Sequence, residues 1–102
     1  MTQLTQDNFG TVTDGKISLV EFFTTWCGPC KIQKQILQDI EKMHNISVGV
    51  VDLEENYNLA DSCGITSVPT TLVYKNGKIH AKLIGLQQKE KINQVIASAN
   101  AI

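Results

Sequence analysis

The sequence predicts an α/β domain with a mixed sheet, and three observations support this. An apolar run, a long amphipathic pattern and a second apolar run follow one another over residues 17–51, in the order of a parallel βαβ unit. Asn76-Gly77 stands between two strand-like segments, as in a tight antiparallel hairpin. The chain has 102 residues, 42% of them apolar, which suits one core. We therefore expect residues 1–102 to form a single domain.

The first half of the chain contains the predicted βαβ unit. Capping residues at 5–9 precede a short helix or turn, which would end near Gly10 or Asp14-Gly15. Residues 17–23 are nearly continuous in apolar side chains, as in a strand covered on both faces. A long helix follows from Cys27 to His44, Asn45 ends it, and residues 46–51 form the next strand. We expect the helix to pack through Ile32, Ile36, Leu37, Ile40 and Met43.

The second half of the chain is predicted to be antiparallel. Residues 57–63 form a short helix, with Gly64 as its C-cap. Strands at 70–74 and 78–84 flank Asn76-Gly77. The last helix covers residues 89–99. Its apolar positions at helical spacing are Ile92, Val95, Ile96 and Ala99.

Composition excludes several classes of protein. The net charge is -1, and all nine basic residues are lysines, so the forked arginine donor that reads phosphate or guanine is absent. No apolar run approaches the length of a membrane span, and the first ten residues lack the features of a secretory signal. The three cysteines are an odd number, unlike a secreted disulfide scaffold. We expect a cytoplasmic protein that binds neither nucleic acid nor membranes.

A cysteine pair stands between the first strand and the long helix, in the segment Trp26-Cys27-Gly28-Pro29-Cys30-Lys31. Side chains three apart in a helix are neighbours at about 5 to 6 Å, and a disulfide asks for a Cα separation of roughly 4.4 to 6.8 Å. Pro29 suits the first helical turn, where N–H groups are free, and Gly28 allows a tight bend. The pair can therefore open and close without refolding the chain.

The two sulfurs should differ in chemistry. Cys27 lies at the helix start, where free N–H groups and the helix dipole favour an anion, so its thiol should ionise more readily than a free cysteine. We therefore expect Cys27 to be the nucleophile and Cys30 the resolving thiol. Half of a zinc site is the alternative. It would need two more ligands, and only Cys63, His44 and His80 remain, none at paired spacing.

Glu21 interrupts the apolar run of the first strand. If it is buried, loss of hydration disfavours its ionised form and raises its pKa. It precedes Cys27 by six residues, so it would lie beneath the sulfurs and could accept the proton of Cys30. The alternative is a strand with one exposed face that carries Glu21 outward. The neighbouring Val20 and Phe22 favour burial.

These motifs together resemble the thioredoxin family over essentially the whole chain. The resemblance rests on the segment 26–31, Val68-Pro69-Thr70, the Asn76-Gly77 hairpin and Gly85. It implies a central sheet of four to five strands with helices on both faces, and a cis peptide bond before Pro69. It also implies that the backbone of Val68 pairs with an extended target peptide. Beside it, an apolar contact surface would be formed by Trp26, Gly64, Ile65 and Gly85.

The resemblance further implies a general protein disulfide reductase, a monomer that donates electrons to cytoplasmic target proteins. The redox group would be the Cys27–Cys30 pair itself, with no bound cofactor, recycled by an NADPH-dependent thioredoxin reductase. Two alternatives remain open. The same chemistry could serve one dedicated pathway as an oxidant, isomerase or private reductant, because direction follows from the reduction potential. The chain could also be a structural subunit whose thiols are dispensable.

The sequence departs from the family pattern at three positions. Glu21 stands where many bacterial members have a buried aspartate, and Val50 where they often have a lysine paired with it, so we expect a raised Glu21 pKa. Gln35 replaces a helix-kinking proline, which predicts a straighter helix. Cys63 matches an additional cysteine of some members. It is either a regulatory thiol or a small apolar residue at a helix end.

Overall fold

A computed structural model describes residues 1–102, which form a five-stranded mixed sheet and four helices. The strands are β1 (Thr2–Gln3), β2 (Ile17–Phe23), β3 (Ser47–Asp52), β4 (Thr70–Lys75) and β5 (Lys78–Ile84). The helices are α1 (Phe9–Thr13), α2 (Gly28–His44), α3 (Tyr57–Ser62) and α4 (Lys89–Asn100). None of these helices combines the length and apolarity needed to span a lipid bilayer.

The sheet has the strand order β1-β3-β2-β4-β5. β3 runs parallel to both β1 and β2, whereas β4 runs antiparallel to β2 and to β5. The parallel βαβ unit and the antiparallel hairpin are both confirmed. Asn76 and Gly77 have φ angles of 52° and 80°, the left-handed conformation that a tight hairpin turn between twisted strands requires.

Helices cover both faces of the sheet, as predicted. On one face, α1 and α3 pack with side chains of β2, β3 and β4 in a core that includes Val12, Leu59 and Phe22. On the other face, α2 and α4 enclose a second core, with Leu37 and Ile92 among its members. Every residue of β2 is buried, because β2 lies in the middle of the sheet and is covered on both faces.

The buried face of α2 differs from the predicted one. Ile32 and Met43 are 51% and 59% exposed, whereas the fully buried Gln33 takes a core position. The buried stripe starts at Cys30 and continues through Gln33, Leu37 and Ile40. Ile32 is rotated by roughly 100° from Gln33 around the helix axis. Leu37 and Ile40 are buried and Ile36 packs against the same core, so the predicted face is confirmed at its centre and wrong at Ile32 and Met43.

Two N-terminal features also differ from the sequence prediction. Strand β1 was not predicted, because two exposed residues carry no periodic signal. Helix α1 begins at Phe9 and has Asp14 as its C-cap, so the predicted end at Asp14-Gly15 is confirmed, whereas Gly10 lies inside the helix. The other boundaries agree to within one residue, and α2 ends at Asn45 with a left-handed C-cap at φ 53°.

Candidate active site

The Cys27–Cys30 disulfide lies at the N-terminus of α2. The two Cα atoms are 5.3 Å apart, within the range a disulfide requires. Cys27 is the extended N-cap residue, and the N–H of Cys30 donates a hydrogen bond of 3.2 Å to Cys27 Sγ. Pro29 occupies the first helical turn, where its missing N–H has no consequence. Local sequence therefore fixes the geometry of the redox pair.

The two cysteines differ in their access to solvent. Cys27 is 7% exposed and Cys30 only 1%, so an incoming disulfide meets the Cys27 sulfur first. Trp26 is 72% exposed beside them. Gly28, Pro29 and Lys31 are also exposed, so this end of the molecule presents an open rim around a nearly covered disulfide.

The loop before β4 approaches the disulfide. The Val68–Pro69 peptide bond is cis, as the family resemblance implied. Val68 is half-buried against a small cluster of Phe23, Cys27, Cys30 and Val50. The carbonyl oxygen of Pro69 accepts a hydrogen bond of 2.8 Å from the N–H of Gly85. Val68, Pro69 and Gly85 thus form one continuous backbone edge near the cysteines.

Two other residues expected on the contact surface lie at the end of α3. Gly64 is exposed, with a left-handed φ of 70°, and its carbonyl oxygen accepts a hydrogen bond from Lys82 Nζ at 3.1 Å. Ile65 is only 8% exposed and packs in the core beneath α3. Little of the Ile65 side chain is therefore available to a target.

Glu21 is fully buried in β2, which confirms its predicted burial. Its cross-strand neighbours are Val50 on β3 and Thr71 on β4, and such neighbours share a face of the sheet. Because Val50 packs with the two cysteines, Glu21 lies on the disulfide's face of the sheet. Neither carboxyl oxygen of Glu21 has a hydrogen-bond partner within the protein. The carboxyl group is therefore held without a hydrogen-bond partner on the disulfide's face of the sheet.

Burial raises the pKa of Glu21 to about 8, and the Lys34 ammonium opposes this rise. Lys34 lies on α2, with Nζ 3.9 Å from the centroid of the Phe23 ring. Lys34 lies outside the predicted apolar positions of α2, so its contact with Phe23 was not predicted. Val50 supplies no charge, so Lys34 is the cation that acts on Glu21 in this structure.

Cys63 lies on the opposite face of the sheet from the disulfide. It is half-buried at the C-cap of α3 and packs against the core beneath that helix. Burial raises the pKa of Tyr74 above its usual range, and the neighbouring Cys63 raises it further. This placement suits the small apolar residue at a helix end; a regulatory role remains a prediction.

The residues weighed for a zinc site do not assemble into one. Cys27 and Cys30 are joined to each other, and no group of three or more His, Cys, Asp or Glu side chains lies close enough to share a metal ion. His44 Nε2 instead pairs with Asn93 Oδ1 at 2.9 Å, and His80 Nε2 with Ser98 Oγ at 2.9 Å.

Two features near the site were missed by sequence reasoning. Ile84 and Leu86 are exposed on either side of Gly85, which places apolar surface next to the cis-proline edge. Gln33 is buried and hydrogen-bonded to the backbone of Gln87. Neither could be found by periodicity, because both depend on where the β5–α4 loop lies against α2.

Comparisons with known proteins agree with this geometry. A family model described as "Thioredoxin" matches residues 1–98. Thioredoxin from Alicyclobacillus acidocaldarius is 34% identical over 97 residues, which cover 92% of both chains. Thioredoxin from Listeria monocytogenes is 32% identical over 96 residues, or 92% of this chain and 93% of the relative.

Solved structures show the same likeness. A mutant thioredoxin from Halobacterium salinarum superposes with a TM-score of 0.91 at 26% identity, covering 96% of this chain and 88% of the other. A thioredoxin from Malassezia sympodialis gives a TM-score of 0.80 at 27% identity, over 97% and 91% of the two chains.

Proposed function

The chain belongs to the thioredoxin family, whose members are thiol-disulfide oxidoreductases, and we propose that it acts as a general reductant of protein disulfides. One observation carries the proposal most strongly. The Cys27–Cys30 disulfide lies at a helix N-terminus with the two sulfurs unequally exposed, beside a cis-proline backbone edge. This arrangement lets the Cys27 sulfur react with a target while the Cys30 sulfur stays shielded from solvent.

The reaction proceeds through a mixed disulfide. The Cys27 thiolate attacks one sulfur of the target disulfide, forms an S–S bond with it, and the other target sulfur leaves as a thiolate that takes up a proton. The Cys30 thiolate then attacks Cys27 Sγ, forms the Cys27–Cys30 bond and releases the second target thiolate, which is also protonated. The target gains two electrons and two protons, which the dithiol loses. The Cys30 N–H that points at Cys27 Sγ supports the first step by stabilising a thiolate there.

Glu21 accepts the proton that Cys30 loses. Its pKa of about 8 lies close to the ordinary thiol value of about 8.5, so transfer between the two groups is nearly balanced. At neutral pH only a minority of Glu21 is ionised. The resolving step should therefore speed up as the pH rises through about 8.

Target proteins bind as an extended segment along the edge formed by Val68, Pro69 and Gly85. Backbone pairing supplies affinity with little demand on sequence, which suits a general reductant. Exposed Trp26 provides apolar contact on the other side of the disulfide. The residues around the disulfide, Gly28, Pro29 and Lys31, are exposed, so a target can approach the Cys27 sulfur from solvent.

An NADPH-dependent thioredoxin reductase would return the pair to its dithiol form, so the chain itself would need no bound cofactor. We further propose that the protein works in the cytoplasm as a monomer. A reducing compartment favours the dithiol over the disulfide, which a general reductant needs.

The direct test is reduction of insulin with NADPH and a thioredoxin reductase supplied. We expect turnover by the wild type, none by Cys27→Ser, and a trapped mixed disulfide with Cys30→Ser, visible by mass spectrometry. Cys63→Ser is the matched control and should keep full activity. An active Cys30→Ser variant would contradict the resolving role, and an inactive wild type would contradict the proposed function.

A further inference from the structure

Gln33 is a fully buried polar residue in α2, one turn beyond Cys30. Both the nitrogen and the oxygen of its side-chain amide form hydrogen bonds with the backbone of Gln87. Gln33 Nε2 donates to the Gln87 carbonyl oxygen at 3.1 Å, and the Gln87 N–H donates to Gln33 Oε1 at 2.7 Å. The two residues are 54 positions apart in the chain. One side chain thus fixes a distant loop to the helix that carries the redox pair.

The loop held in this way follows β5 and contains Gly85, Leu86 and Gln87. The Gln87 side chain turns back on the loop, with Nε2 3.0 Å from the carbonyl oxygen of Ile84. At its other end, the Gly85 N–H donates to the Pro69 carbonyl oxygen at 2.8 Å. A continuous set of hydrogen bonds therefore runs from α2 through the loop to the cis-proline edge.

A polar side chain at this position is unfavourable unless it forms its hydrogen bonds. An amide removed from water without partners is strongly destabilising, and the next buried positions along α2, Leu37 and Ile40, are apolar. Gln33 makes two hydrogen bonds to the backbone of one residue, the N–H and the carbonyl oxygen of Gln87, which restricts both the distance and the rotation of the loop. An apolar side chain would fill the same volume but leave the loop free to shift.

We propose that Gln33 is a positioning residue for target binding: it holds the segment 85–87 against α2 and thereby keeps the Val68–Pro69–Gly85 edge in its binding conformation. This inference rests on the proposed function, because it concerns the protein disulfides reduced at that site. Gln33 touches neither sulfur. Its loss should weaken binding of an extended peptide without changing the chemistry of the cysteines.

The test compares Gln33→Met, which keeps the length and loses both hydrogen bonds, with Gln35→Met on the exposed side of the same helix. Steady-state reduction of insulin reports on peptide binding. Reduction of dithiobis(nitrobenzoate), which is too small to follow the backbone edge, reports on the sulfurs. We expect KM for insulin to rise by about fivefold or more in Gln33→Met at nearly constant kcat, because uniform binding is lost. The small disulfide should react at an unchanged rate.

The reduction potential and the amide exchange of Gln87 complete the test. Gln33→Met should leave the potential unchanged and accelerate hydrogen exchange at the Gln87 N–H. Gln35→Met should resemble the wild type in every measurement. An unchanged KM for insulin in Gln33→Met would overturn the proposal, as would an equal loss of activity toward both substrates. Wild-type turnover of insulin in the same assay separates this outcome from failure of the proposed function.

Hydrogen exchange provides a check that needs no substitution at Gln33. Because its N–H donates to a buried amide oxygen, Gln87 should exchange much more slowly than Leu86 and Gln88 in the same loop. Addition of a peptide trapped on Cys27 in the Cys30→Ser protein should slow exchange at Gln87 further. Rapid exchange at Gln87 in free and trapped protein alike would rule the proposal out.

Discussion

Glu21 is a neutral carboxylic acid for most of the physiological pH range, because the sheet and α2 remove it from water. The rise of its pKa to about 8 is caused first by burial, and Lys34 only moderates it. A buried group with this pKa has a thermodynamic consequence. The folded chain holds a proton that the unfolded chain releases, so pH acts directly on stability.

The first prediction concerns this linkage. Below about pH 4.5, Glu21 is protonated in both states; between about 4.5 and 8 only the unfolded chain loses the proton, so the free energy of unfolding falls with rising pH. The slope from one such group is about 1.4 kcal/mol per pH unit. Glu21→Gln removes this pH dependence, because an amide does not titrate. Urea unfolding of the oxidised proteins at pH 5 and pH 8 should show the variant gaining about 3 kcal/mol relative to wild type.

Glu54→Gln is the control, since Glu54 is exposed. Its effect on unfolding should be small and equal at both pH values. If Glu21→Gln also shifted stability equally at pH 5 and pH 8, Glu21 would titrate alike in both states, and its proposed part in proton transfer would lose its basis.

Strand β1 illustrates how a short element depends on one glycine. The N–H of Leu4 donates to the Val50 carbonyl oxygen at 2.7 Å, and β1 pairs with β3 in register with Gly49. A Cβ atom at Gly49 would come within 2.8 Å of Leu4 Cγ. Leu4 is fully buried, so it fills the space above the glycine. The first strand is therefore docked by close approach and not by its own propensity.

Gly49→Ala should destabilise the protein by about 1 to 3 kcal/mol, the usual penalty for overpacking a core. Thermal and urea unfolding measure the loss, and amide exchange at Leu4 should accelerate most. Gly15→Ala is the matched control, because its Cβ would lie 3.8 Å from its nearest neighbour, the Val12 carbonyl oxygen. Equal stability of the two variants would show that Leu4 can move away without loss.

At the scale of the whole molecule, the sheet brings groups from distant parts of the chain to one end. The disulfide comes from the start of α2, the cis-proline edge from the loop before β4, and Gly85 from the end of β5. Phe23 and Val50 pack against the sulfurs from β2 and β3. This apolar setting, with a neutral Glu21 beneath it, gives little extra stabilisation to a thiolate at the buried Cys30.

A strongly reducing potential follows from that setting. Oxidants of this chemistry owe their high potential to a strongly stabilised reduced form, whereas here the apolar setting and the neutral Glu21 add little at Cys30, and only the start of α2 with the Cys30 N–H stabilises a Cys27 thiolate. Equilibration with glutathione buffers should give a value near about -270 mV. A value near about -120 mV would instead indicate an oxidant and would favour a dedicated pathway over general reduction.

Sequence patterns predicted the parts of the fold that local chemistry determines. Strand β2 and strand β5 have the predicted boundaries, because alternation, continuous apolar character and turn residues act over short distances. The Asn76-Gly77 turn and the left-handed Asn45 follow from residue types that tolerate positive φ. The cysteine pair could be interpreted for the same reason: its spacing and its place at a helix start are both local.

The remaining site residues needed a different source. Spacing and composition gave no reason for a cis bond at Pro69 or for Gly85 beside it; the family resemblance supplied both. The resemblance gave no warning of Lys34 near Glu21 or of Gln33 bonded to Gln87, because these residues have no fixed counterpart in the motif. Each is a polar residue whose contacts are made across elements.

The sequence by itself determined the order of strands and helices after β1, the reactive cysteine pair and the burial of Glu21. Tertiary structure alone decided that Gln33 joins the buried face of α2, that Lys34 is the cation acting on Glu21, and where the β5–α4 loop is fixed. The physical reason is one of range. Backbone preference and side-chain periodicity act within a few residues, whereas desolvation, close packing and hydrogen bonds between distant segments exist only once the elements have packed.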